Sequence, residues 1–172
     1  MKTREQIEAS LQWNLADIYA DESLWEADYQ SAEALVAAFS AHAGRLHESA
    51  DALFAALTDE SRLGRLIETI YSYAHLHKDE DNGNVHYQGM TDRAIQLYVS
   101  AQAASSFVDP EILEIPEETL LGWAAQERFA PLRFRIADVD RHRAHTLSAE
   151  EERLLAMAEE PLSGADNIFT ML

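Results

Sequence analysis

The 172-residue chain carries 31 Asp and Glu against 13 Lys and Arg, a formal net charge of −18 before any histidine is counted. A chain this acidic repels nucleic-acid phosphates and anionic lipid headgroups, and no local basic stripe offsets the repulsion, so both are excluded as partners. Cysteine is absent, which removes disulfides, thiolate nucleophiles, iron–sulfur ligation and every Cys-containing zinc site, and any metal would need His and carboxylates.

At this length one compact domain over residues 1–172 is expected, and a hydrophobic content of 47% is that of an ordinary globular protein. Met1-Lys2-Thr3-Arg4-Glu5-Gln6 has no apolar run behind its positive charges and does not read as a secretory signal. No uncharged stretch approaches the roughly 20 apolar residues that span a bilayer. A cytoplasmic location is the expectation.

The chain is rich in Ala, Leu and Glu and poorer in Val, Ile and Thr, so an all-α fold is expected, an antiparallel helical bundle. From about 21 to 42, Asp21 is positioned as an N-cap, and Leu24, Ala27, Ala34, Leu35, Ala38 and Phe39 recur near helical spacing. Gly44 punctuates. A second stretch, Ser49 to Leu57, leads to Thr58-Asp59, which can cap a longer helix carrying Leu63, Ile67, Ile70 and Ala74. Met90, Ala94, Leu97, Ala101, Ala104 and Val108 advance by 4, 3, 4, 3, 4, which puts all six on one helix face and Asp92, Arg93 and Gln96 outside it.

Between these long helices, Asp79-Glu80-Asp81-Asn82-Gly83-Asn84 is a turn-forming cluster that reverses the chain into an antiparallel pair. Tyr71, Tyr73, His75 and His77 alternate as a β-hairpin would, but the four-and-three stepping on both flanks runs far past strand length. Asp109-Pro110 supplies an N-cap with Pro at the first helical position; Pro116 and Pro131 open further short helices. Ser148 with Glu151 forms a capping box before Leu154 and Leu155. Ile168, Phe169, Met171 and Leu172 are large apolar side chains where chain ends are normally polar, so a further portion of polypeptide is expected to cover them. Left uncovered, they would favour a homodimer through this end.

Chemistry-bearing groupings are sparse. A hydrolytic zinc helix needs His-Glu-x-x-His, because a spacing of four sets both imidazoles on one face beside the Glu base. His47-Glu48-Ser49-Ala50-Asp51 meets this until Asp51 stands where the second His belongs, and Ser49 reads as a cap interrupting the helix. His75 and His77 are two apart, about 200° around a helix, and cannot share a metal from it. His142 and His145 have a usable spacing of three, but Ala144-His145-Thr146 reads as loop. Asp79, Asp81 and Gly83 suggest a calcium loop, yet Asn84 and Met90 fall where its Gly and Glu belong. The three tryptophans read as packing anchors. No catalytic, cofactor-binding or metal-binding residue is assigned.

Longer words carry more. Trp13-Asn14-Leu15-Ala16-Asp17-Ile18-Tyr19, before an Asp-initiated helix with Trp25, resembles the opening of the oligoendopeptidase F family. In the same order follow Tyr71-Ser72-Tyr73-Ala74-His75-Leu76 with Asp79-Glu80-Asp81, Ser105-Ser106-Phe107-Val108-Asp109-Pro110-Glu111-Ile112-Leu113, and His145-Thr146-Leu147-Ser148 with Glu150-Glu151-Glu152-Arg153-Leu154-Leu155. Ala144 departs from the family's Pro before His-Thr-Leu-Ser. The resemblance implies the amino-terminal helical lobe of a cytoplasmic zinc metalloendopeptidase that hydrolyses oligopeptides. It also implies zinc and the His-Glu-x-x-His helix in a carboxyl-terminal catalytic lobe outside this chain, so that the present lobe shapes substrate access and is inactive alone. The implied partners are that catalytic lobe and oligopeptide substrates; the competing reading is a free-standing helical interaction module.

Overall fold

In the computed structural model, which describes residues 7, 8 and 11–145, Asp21 starts the first long helix. Its carboxylate accepts the backbone N–H of Ser23 at 2.9 Å and of Leu24 at 3.3 Å, satisfying two of the donors a helix start leaves orphaned. Helix α1 runs Glu22–Phe39. Its buried residues are Trp25, Tyr29, Ala32 and Phe39, whereas Leu24, Ala27, Ala34 and Ala38 face solvent. The expected apolar face is therefore rotated: alanine lies on both sides of this helix, and the large rings decide which side is buried. A 3-10 turn, Ser40–His42, follows, and Gly44 takes φ +77°, the left-handed conformation that glycine adopts without a Cβ penalty.

Helix α2, Ala50–Glu80, is one continuous rod of 31 residues, about 46 Å at 1.5 Å per residue. Ser49 caps it through a 3.1 Å bond from Ala52 N–H. The expected break at Thr58-Asp59 does not occur. Thr58 Oγ1 donates to the Phe54 carbonyl at 2.7 Å inside the helix, and Asp59 pairs with His42 at 2.9 Å. Asp81 closes the helix and accepts Gly83 N–H at 3.1 Å; Asn84 caps the next by accepting His86 N–H at 3.0 Å. Helix α3, Val85–Ser105, returns antiparallel with Met90, Ala94, Leu97 and Ala101 buried. Val108, expected on the same face, belongs instead to the following helix and a different core. Arg93 is not outside, since its guanidinium sits 4.2 Å from the Tyr29 ring centroid and pairs with both Glu26 oxygens at 2.8 and 2.9 Å.

Three short helices complete the described chain: α4 Val108–Glu114, α5 Glu117–Ala124 and α6 Arg133–His142. Phe107, not Asp109, precedes α4; the Asp109 carboxylate lies in the first turn and is held by Arg135. Pro116 does open α5, while Pro131 lies in a 3-10 segment, Glu127–Leu132, that leads into α6. A last 3-10 turn spans Arg143–His145. The Ser148 capping box and Ile168, Phe169, Met171 and Leu172 lie outside the described residues.

Two cores result. The first gathers Trp25, Tyr29 and Ala32 of α1, Leu63, Ile67, Ile70, Tyr73 and Ala74 of α2, and the buried face of α3, with Leu15 and Tyr19 from the opening segment. The second gathers Leu53, Ala56 and Leu57 from the start of α2 with Phe39, Leu46, Ile112, Leu120, Phe129 and Ile136. Of the tryptophans, Trp25 is 1% exposed and bonds the Ile70 carbonyl through its indole N–H at 2.9 Å, whereas Trp13 is 52% exposed and lies outside both cores.

Candidate functional site

The histidine and carboxylate groupings do not assemble into a metal centre. His47 and Glu48 lie exposed in the turn before Ser49, so the helical face that a zinc motif requires is absent. Glu48 pairs with Arg45 at 3.3 Å, and Asp51 is held by Arg128. His75 stacks on Tyr71 with centroids 5.0 Å apart and pairs with Asp79 at 3.4 Å. His77 turns the other way, stacking on Tyr87 at 4.4 Å and approaching Glu80 at 3.7 Å. His142 Nδ1 lies 2.7 Å from the Asp138 carbonyl of its own helix. Among the described residues no three His, Asp or Glu side chains converge as metal ligands.

His75 and His77 lie instead near the tip of the α2–α3 hairpin, where further contacts fasten it to α1. His86, in the first turn of α3, contacts Glu22 of α1 at 2.8 Å. Tyr73 sits beneath, its ring edge-on to Tyr19 at 5.3 Å, and burial pushes its phenol upward with help from the negative charge of Glu22. Tyr19 donates to Asp28 at 2.8 Å, and burial with that carboxylate raises its phenol well above the ordinary tyrosine range. Both tyrosines stay neutral hydrogen-bonding and packing groups at physiological pH.

A groove of about 600 Å³ lies between α2 and α3. Leu63, Gly64, Ile67 and Tyr71 line one wall, and Ile95, Tyr98, Ala101 and Gln102 the other. Glu60 and Glu68 edge it. Glu60 is paired with Arg135 at 3.3 Å, whereas Glu68 makes no ion pair among the described residues. Such a volume and apolar lining suit binding, but no nucleophile, base or oxyanion donor converges there. A sequence signal for it exists: Ile95, Tyr98, Gln102 and Ser105 step by three, four and three, a second stripe on α3 that the stronger Met90–Ala101 stripe overshadows.

Comparisons place this fold. Residues 111–172 match the family model described as Oligopeptidase F. The chain is 35% identical over 170 residues to oligopeptidase PepF of Bacillus subtilis, covering 98% of this chain and 25% of that protein. It is 29% identical to group B oligopeptidase PepB of Streptococcus agalactiae, again covering 98% of this chain and 28% of the relative. A crystal structure of oligoendopeptidase-F from Enterococcus faecium superposes with TM-score 0.68 at 31% identity over 87% of this chain and 30% of that one. A second crystal structure, of a protein from Chlamydophila abortus, shares the fold with TM-score 0.84 at 24% identity, covering 98% of this chain and 29% of that one. The chain spans about a quarter of the length of the curated relatives it matches. Its ordered motifs, its helical fold and its end-to-end likeness to these proteins agree, and the chain belongs to the oligoendopeptidase F family.

Proposed function

We propose that this chain is the noncatalytic, amino-terminal helical part of a cytoplasmic zinc metalloendopeptidase that hydrolyses oligopeptides, and that it shapes the access of peptides to a catalytic lobe. The observation that carries this is 35% identity to an oligopeptidase across 98% of the chain, within a quarter of that enzyme's length. The described residues do not fit a zinc site, because their histidines are dispersed, and His42, His75, His77, His86 and His142 each lie against a carboxylate, ring or carbonyl of their own neighbourhood. No step at a metal is therefore assigned to any residue here. What these residues supply is a stiff frame: α2 ties both cores together, and the α2–α3 hairpin presents an apolar groove.

The test is to express the complete reading frame that encodes this chain. The expected product contains a downstream His-Glu-x-x-His helix and cleaves a quenched fluorescent oligopeptide, with activity lost to a chelator and restored by zinc. A reading frame that stops without such a motif, and a product without zinc-dependent hydrolysis, would favour the free-standing interaction module instead.

A further inference from the structure

Helices α2 and α3 each carry two faces suited to burial, and α1 covers only one pair. On the covered side, Trp25, Tyr29 and Ala32 of α1 step by four and three along the cleft between the two helices. On the other side the groove repeats that geometry with no described element seated in it: Ile95 is 44% and Tyr98 52% exposed, with Val99 beside them at 59%. Scattered apolar exposure is ordinary, but residues of this size aligned along one groove mark a contact surface. From Glu60 to Tyr71 the groove follows α2 for about 16 Å, three helical turns. A Cβ placed on Gly64 would meet nothing within 4 Å, which leaves room for a neighbouring backbone to come close.

Charge and coverage narrow the occupant. With Glu60 already held by Arg135, Glu68 is the rim charge left to meet a cation. A second copy of this chain brings a net charge of −18 and its own Glu68 to the contact. The charged residues that line the groove are both carboxylates, so a short free peptide would find no cation among them for its carboxyl end. The relatives, by contrast, extend far beyond the quarter of their length that this chain matches. We propose that the open face of the α2–α3 hairpin seats an amphipathic helix from the remainder of the oligopeptidase polypeptide, its apolar stripe along Ile67, Tyr71, Ile95 and Tyr98 and a basic side chain facing Glu68. The proposal rests on the function proposed above and adds the surface through which the helical part is joined.

The chain has no cysteine, so Gln102→Cys gives a single reporter thiol in it. Maleimide labelling of that thiol is expected to be at least about tenfold slower in the polypeptide from the complete reading frame than in the 172-residue chain, and equal in both once denatured. Gly64→Leu gives an independent reading with opposite signs. In the 172-residue chain it removes a helix-interior glycine and raises Tm by about 2–4 °C, whereas in the complete polypeptide it crowds the groove and lowers Tm. Equal labelling rates in the two native proteins, or a Gly64→Leu gain in both, would overturn the docking even if zinc-dependent hydrolysis is present. Protection of the thiol in a complete polypeptide that hydrolyses no peptide would support the docking and count against the enzyme reading alone. Protection that rises with the concentration of the 172-residue chain would assign the face to a second copy, and protection only on adding an oligopeptide would assign it to substrate; either overturns the proposal.

Discussion

Along the last two-thirds of α2, long helices meet through continuous side-chain stripes, and the contacts are mostly apolar. Around its first residues the partners are helices of 7, 8 and 10 residues, too short to be stable alone, and arginines staple their ends. Arg133 Nε donates to the Ala124 carbonyl at 3.0 Å and Nη2 to that of Ala125 at 3.2 Å, at the end of α5. Arg143 reaches the Leu113 carbonyl at the end of α4, and Arg135 joins α6 to Glu60 and Asp109. Each short helix leaves four unpaired carbonyls, a large share of its length, so arginines fasten helix ends around the second core, whereas the polar links of the first, Trp25 to Ile70, Arg93 to Glu26 and His86 to Glu22, tie one long helix to another. The chain thus holds two designs on one rod.

Substituting the central ring of each core should have the largest effect. Trp25→Ala and Phe129→Ala, at 1% and 0% exposure, are each expected to cost about 3–5 kcal/mol. Hydrogen exchange should then show α1 and α3 loosened by the first, and α4 to α6 by the second. Equal loosening of both cores by either variant would mean that α2 couples them into one cooperative unit.

Removing a staple should cost less. Arg143→Ala strands the Leu113 carbonyl and frees Asp140, which it meets at 2.8 Å, for an expected loss of about 1–3 kcal/mol by urea unfolding. Loss of protection confined to α4 and α6 would sharpen the contrast; a variant as stable as the parent would break it.

The smallest effect belongs to the half-buried pair across α1 and α3. The Arg93 guanidinium beside Glu26 holds that carboxyl below its usual 4.5, so the pair stabilises the fold above that pH and its contribution is lost as pH falls through the lowered folded value. With both side chains 41% exposed, solvent screening keeps the effect of Glu26→Gln below about 1 kcal/mol. The stability difference between Glu26→Gln and the parent should shrink as the solution is acidified from pH 6 to below 4. A difference independent of pH would locate Arg93's role in its ring contacts with Trp25 and Tyr29.

The first core is the more legible in sequence because Met90, Ala94, Leu97 and Ala101 step without interruption, and the Asp81–Asn84 turn has residues that cap both flanking helices. The face of α1 misleads, because Ala27, Ala34 and Ala38 suit helix surface and core equally, while Trp25 and Tyr29 decide the packing through Ile70 and Arg93. Thr58-Asp59 and Asp109-Pro110 have cap chemistry, but a hydroxyl can bond back inside a helix and a carboxylate can be claimed by a distant arginine. Those tertiary partners are invisible to local spacing. The groove was half visible: Ile95 and Tyr98 show a second stripe, yet only the placement of α1 reveals which side of the hairpin that helix leaves uncovered.

The central proposal is that this chain frames an enzyme without carrying its metal chemistry. Its most direct test is to load the 172-residue chain with zinc, dialyse it, and assay both retained zinc and cleavage of a quenched fluorescent oligopeptide. The account predicts neither stoichiometric zinc nor hydrolysis. Tight one-to-one zinc with peptide cleavage, both abolished by His47→Ala, would contradict it.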